Sequence, residues 1–108
     1  MNVRVLLISH SCQVRSQGQP RAEHLAAMPG IDLRVLVPDR WYEYGQLRHP
    51  RMPEPCPFDY EVGKVRWPWA GKKIHSYLHY YPRLARTLLD FRPHVIDVWE
   101  EPWALVSA

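Results

Sequence analysis

The chain has 108 residues, 46% hydrophobic and 23% charged, which is enough for one domain around one core and too apolar for a disordered segment. Fourteen Lys and Arg against eleven Asp and Glu leave a net charge of +3. That balance is mild, and no basic run of the kind that tracks a nucleic-acid backbone accompanies it, so nucleic acid is not an expected partner.

The two cysteines, Cys12 and Cys56, lie far apart without CxxC or His-containing ligand spacing, which reads as a reduced, cytoplasmic chain. The histidines show no metal spacing with carboxylates, so no metal is expected. No apolar run reaches the roughly 20 residues of a membrane span. "VRVLLISH" is too short for a signal-peptide core and runs straight into polar sequence.

In chain order, "NVRVLLIS" (Asn2–Ser9) is a continuous Val/Leu/Ile run that suits a strand covered on both faces, as in a parallel sheet. The polar stretch His10–Gln19 follows as a loop. "PRAEHLAAMPG" predicts a helix, with Pro20 at its start, Ala22, Leu25 and Ala26 on one face, and Gly30 as its stop. "IDLRVLVP" (Ile31–Pro38) is a second strand, with Leu33, Val35 and Val37 on one face and Leu36 on the other. Strand, loop, helix and strand open a βαβ unit, which forces a parallel pair.

Five of the eleven prolines fall between Pro50 and Pro68, and Trp41–Phe58 has no period, so a long loop is expected there. Tyr60–Trp69 reads as a further strand, with Val62 and Val65 as apolar members and Gly63 as a bulge. Ile74–Tyr81 fits either a helical face or a strand; Pro82 after Tyr81 favours extended structure. "PRLARTLLDFRP" is an amphipathic helix through Leu84, Leu88 and Phe91, stopped by Pro93. "HVIDVWE" is the last buried strand, and "EPWALVSA" opens another helix at Pro102.

In such sheets ligands sit beyond the carboxyl ends of the strands. That makes His10–Gln19, Asp39–Tyr44 and Trp99–Trp103 the candidate segments. The first loop precedes a helix N-terminus that favours an anion, with Arg15 and Arg21 as its partners and Gly18 allowing close backbone approach. The same loop reads more readily as a plain connection, since one glycine makes neither dinucleotide nor Walker fingerprint. His10 stands where a ligand-facing side chain would be, or bonds locally. Glu100 and Glu101 could accept from sugar hydroxyls or act as a base, while Glu101 could equally cap a helix. Trp99 and Trp103 could stack on a sugar or base, or simply pack. The aromatic and basic stretch around Trp67–Trp69, Lys72, Lys73 and Tyr77–Tyr81 could face a membrane interface or an interdomain cleft.

The residues from Met1 to Trp41, "MNVRVLLISHSCQVRSQGQPRAEHLAAMPGIDLRVLVPDRW", resemble the opening of a retaining glycosyltransferase of family four, the GT-B class. "LLDFRPHVIDVWEEPWALV" resembles that family's "RPD-V-I-H-V-EEP-W" stretch, in the same order. The resemblance implies an α/β fold: a Rossmann-like, mostly parallel sheet with flanking helices, forming a single, incomplete N-terminal domain over residues 1–108. It implies that this domain holds the sugar acceptor, through His10, Arg15, Trp99, Glu100 and Glu101, while Ser16, Gln17, Gly18 and Gln19 approach the donor diphosphate. It implies transfer of a sugar with retained configuration from a nucleotide-sugar co-substrate, with no metal or other cofactor.

The family's donor-binding residues have no counterpart here. The chain is therefore expected to be inactive alone, to need a C-terminal donor domain or a separate donor-binding subunit, and to self-associate through apolar surface. A cytoplasmic place, peripheral to the inner membrane face, fits a lipid-linked acceptor. The alternative is a non-catalytic α/β module that binds a glycan, nucleotide or protein. A flavodoxin-like enzyme is set aside, because the first loop lacks a Ser/Thr run for a flavin phosphate.

Overall fold

In a computed structural model of the chain, residues 2–13, 18–43, 46–66 and 81–99 are described. Strand β1 is Val3–Ile8 and β2 is Ile31–Pro38. Between them lie a 3-10 turn at His10–Gln13 and helix α1, Gln19–Ala26. A short hairpin follows, β3 (Trp41–Glu43) with β4 (Gln46–Arg48). Then come β5 (Asp59–Gly63), α2 (Leu84–Phe91) and β6 (Val95–Val98).

Four of these strands form one sheet in the order β5-β2-β1-β6, and every pair is parallel. The sequence expectation of a parallel α/β sheet is met at this level. Alternation divides the core into two layers. On one face Val5, Leu7, Leu33, Val35 and Val37 pack with Ala22, Leu25 and Ala26 of α1, and with Cys12 and Phe58. On the other, Leu6, Ile8 and Leu36 pack with Val65, Tyr81, and Leu84, Leu88 and Phe91 of α2. Leu6 and Leu7 are both fully buried, which explains why β1 reads from Val5 to Ile8 as an apolar run rather than an alternating one.

The two edge strands differ. On β5, Asp59 and Glu61 stand on the α2 face, opposite Arg34 and Leu36 of β2. Arg34 lies at the centre of a carboxylate cluster, 3.2 Å from Asp59, 3.1 Å from Glu61 and 3.1 Å from Asp90 of α2. Its guanidinium also lies 4.7 Å from the Phe91 ring. Partial burial works against its charge, but Asp90, Asp59 and Glu61 outweigh that and hold its pKa above the ordinary value. Thr87 completes the cluster by donating to Glu61. On β6, by contrast, Val95 and Ile96 are about half exposed, although their partners Val5 and Leu6 in β1 are buried.

Three sequence expectations are corrected. The long loop after Trp41 contains the β3–β4 hairpin, whose three-residue strands are too short to show a period. Strand β5 ends at Gly63; Val65 is buried beyond it, its N–H donating to Asp39 Oδ1 at 3.1 Å. Gly63 is not a bulge, since the register from Arg34↔Asp59 to Pro38↔Gly63 is unbroken. A Cβ at Gly63 would lie 2.8 Å from Leu36 Cδ1 and 3.1 Å from the Tyr81 ring, so glycine is there because two buried side chains cross over it.

Helix α2 stops at Phe91, two residues before Pro93, with Arg92 left-handed at φ 52°. That conformation usually falls to glycine. Here Arg4 Nε donates to the Arg92 carbonyl at 2.8 Å and holds it. The expected segment Ile74–Tyr81, except Tyr81, and the helix opening at Pro102 lie outside the described residues. Among the described residues no helix is long and apolar enough to cross a membrane.

Gly63→Ala should lose about 1–3 kcal/mol, the usual cost of overpacking a filled core, from the contacts with Leu36 and Tyr81. Urea unfolding followed by circular dichroism measures it, and an unchanged midpoint would contradict the crossing.

Candidate functional site

The strand order sets where a ligand would enter. Chain connections leave β1 toward β2 on one side, while β6 joins β1 on the other. The carboxyl ends of β1 and β6 therefore flank the point where the order reverses, which is the crevice such sheets use for ligands. After β1 the chain turns through Ser9, His10 and Ser11; after β6 it reaches Trp99, whose N–H donates to the Ile8 carbonyl at 2.9 Å. Ser9 is fully buried, and its hydroxyl shares a hydrogen bond of 2.7 Å with that of Ser11.

Trp99 is held from three sides. Its ring packs against the α1-side core. Its Nε1–H donates to Asp97 Oδ2 at 2.8 Å, both residues belonging to the same face of the sheet edge. The guanidinium of Arg21, from the first turn of α1, lies 4.0 Å from the centre of the ring. A cation over an indole is attracted by the ring's negative face.

His10 stacks on Trp41, ring centroids 4.2 Å apart and planes nearly parallel at 12°. Two of the three expected segments, separated in sequence by the whole of α1 and β2, thus meet at the carboxyl edge. Asp39, in the second of these segments, accepts from Val65 N–H while its own N–H donates to the Gly63 carbonyl. It ties the ends of β2 and β5 together.

Gly18 and Gln19 prove to be architectural. A Cβ on Gly18 would meet Ser11 Oγ at 2.6 Å and the Ser11 backbone at 2.8 Å, so the close approach glycine permits here is that of the chain's own 3-10 turn. Gln19 is fully buried. Its Nε2 lies within hydrogen-bond distance of three carbonyls, Cys12 at 3.2 Å, Gln13 at 3.2 Å and Arg51 at 2.7 Å. Gln13, equally buried, donates to the Pro38 and Arg48 carbonyls at 3.0 and 3.3 Å. Sequence reasoning missed Gln13, because nothing local marks a glutamine for burial; only its position between a turn and a returning loop does. Arg15, Ser16 and Gln17, and Glu100, Glu101, Pro102 and Trp103, lie outside the described residues.

The Tyr60 hydroxyl donates to the Gln13 carbonyl at 2.9 Å. Its pKa is pushed up to about 12, chiefly because burial disfavours the phenolate, with the Cys12 and Cys56 thiols adding to it. A groove of about 430 Å³ lies apart from all of this, between β5 and α2, lined by Leu36, Glu61, Gly63, Tyr81, Leu84 and Thr87. Its central carboxylate, Glu61, is already engaged by both Arg34 and Thr87. The carboxyl edge at β1 and β6 is therefore the better candidate. Among the described residues no three His, Cys, Asp or Glu side chains gather as metal ligands.

No family model matches this chain, and neither the curated proteins nor the solved structures hold a match to it.

Two outcomes follow from the buried polar groups. Gln19→Ala strands carbonyls that Gln19 now serves, and should cost about 2 kcal/mol or more in urea unfolding. Tyr60 binds its proton more tightly in the folded chain than in the unfolded one, where tyrosine titrates near ~10. The stability tied to that proton is complete below that pH and is lost as pH rises toward 12. Phenolate absorbance should show a late step that Tyr60→Phe removes.

Proposed function

We propose that this chain is the acceptor-side unit of a retaining glycosyltransferase, a Rossmann-like N-terminal domain of the GT-B class. The observation that carries the proposal is the parallel order β5-β2-β1-β6, which reverses where Trp99 and the Ser9–Ser11 turn come side by side. The resemblance of the first 41 residues and of the stretch from Leu88 to Val106 supplies the reaction class.

In this reading Trp99 offers an indole to the apolar face of an acceptor sugar, as tryptophan does where a ring must be both packed and oriented. The Ser11 hydroxyl and the His10 imidazole border the same turn and supply hydrogen bonds. Glu100 and Glu101 follow directly in sequence and supply acceptors for sugar hydroxyls. Ser16, Gln17, Gly18 and Gln19 are the stretch that the resemblance assigns to the donor diphosphate. The nucleotide-sugar itself is held by a second unit, a donor domain or a separate subunit, which closes over this edge. The protein works in the cytoplasm, with peripheral contact to the inner membrane face where the acceptor is lipid-linked. Self-association proceeds from the half-exposed apolar residues of β6.

Titrating methyl glucosides and, separately, UDP- and GDP-sugars onto the isotopically labelled chain tests this reading. Saccharides should shift the Trp99 indole and Ser11 amide signals at millimolar concentration, and nucleotide-sugars should bind no more tightly than the saccharides do. Micromolar binding of a nucleotide-sugar by this chain alone would overturn the division of labour. Saccharide binding that leaves Trp99 and Ser11 unmoved would remove the site.

A further inference from the structure

The position of Arg21 needs a reason. It stands in the first turn of α1, where the helix dipole disfavours a cation, and no acidic residue shares that turn. Its side chain is exposed, and the ion pairs described belong to Arg34; among the described residues no carboxylate pairs with Arg21. Its guanidinium lies against the Trp99 ring, 4.0 Å away. Asp97, the nearest acid along β6, is occupied by the indole N–H of Trp99. Among the described residues, the reversal point of the sheet therefore carries an indole with a guanidinium held against it that no carboxylate pairs with.

We propose that this pair selects an acceptor sugar that carries a negative charge, a uronic acid or a sugar phosphate. The inference rests on the glycosyltransferase reading of the same site and adds the substrate class to it. A sugar ring laid on Trp99 must share the indole with Arg21 or displace it. A neutral sugar gains nothing from the displaced guanidinium. A carboxylate or phosphate on the ring takes that guanidinium as its partner, and the planar fork of an arginine meets either anion through two parallel N–H bonds. Arg21 is then a specificity residue, and Trp99 provides the surface common to charged and neutral sugars.

A purely structural role predicts something else: Arg21 would only clamp α1 against the end of β6, and its removal would lower stability without changing ligand preference. The test compares methyl glucuronide, glucose 6-phosphate, methyl glucoside and sodium acetate, each titrated onto the labelled chain and onto Arg21→Gln. Signals of the Trp99 indole and the Arg21 side chain are followed, and circular dichroism verifies the fold of the variant. The charged sugars should bind about threefold or more tighter than methyl glucoside, the size an exposed charge pair gives. Arg21→Gln should erase that preference while Trp99 still responds to all three sugars. A glucuronide preference without a phosphate preference, or the reverse, identifies which anion the site takes.

Equal affinity for charged and neutral sugars at Trp99 would overturn the charge selection and leave the acceptor site standing. Acetate shifting Arg21 as strongly as glucuronide would also overturn it, because the anion would then bind without its sugar. No response of Trp99 to any sugar would remove the acceptor reading together with this one.

Discussion

A buried turn has backbone groups that neither helix nor sheet can satisfy, and this fold meets that constraint with the side-chain amide of Gln19. The segment after β1 turns inward through Cys12 and Gln13 and cannot pair with a strand. Gln19 Nε2 is set against two of its carbonyls and against Arg51 of the returning loop. The Gln13 carbonyl also receives Arg51 N–H and the Tyr60 hydroxyl. An unsatisfied group in this place would carry its full desolvation cost. The amide orientation is fixed by the same crowding, because the reverse orientation would aim an oxygen at three oxygens. Everything at the carboxyl edge inherits this arrangement: α1 starts where Gln19 places it, and Arg21 reaches Trp99 from there.

The parts of the fold that were legible in the sequence are those decided locally. The run Val5–Ile8 has no polar interruption, and Ile31–Pro38 alternates as a covered strand does; both strands lie where the sequence places them. Helix α1 begins one residue before Pro20 and ends four residues before Gly30, the proline fixing the start. The hairpin at Trp41 was not legible, because three-residue strands carry no periodicity and its buried residue, Trp41, is chosen by His10. The end of β5 was misplaced for a similar reason. Val65 is apolar because it is buried, but Asp39 rather than a strand ladder takes its N–H.

The site was legible in its address and less so in its contacts. That the carboxyl ends of β1 and β6 would matter follows from parallel topology alone. That Arg21 would find Trp99, and His10 would find Trp41, depends on crossover geometry that no spacing along the chain encodes. Gly18 shows the converse: a glycine in a loop before a helix reads as ligand access, and here the chain itself occupies the space a side chain would need.

The position of β1 at the middle of the sheet has a temporal consequence. Its edge toward β2 is matched within the first third of the chain, Val3 opposite Ile31, but its other edge waits for Val95. During synthesis, which delivers the N-terminal residues first, the β1–α1–β2 unit can form while the second edge of β1 still stands open. Closing it joins residues about ninety positions apart, Val5 with Val95, the kind of distant pairing that slows assembly. The nascent chain therefore passes through a stage in which β1 has an unpaired edge.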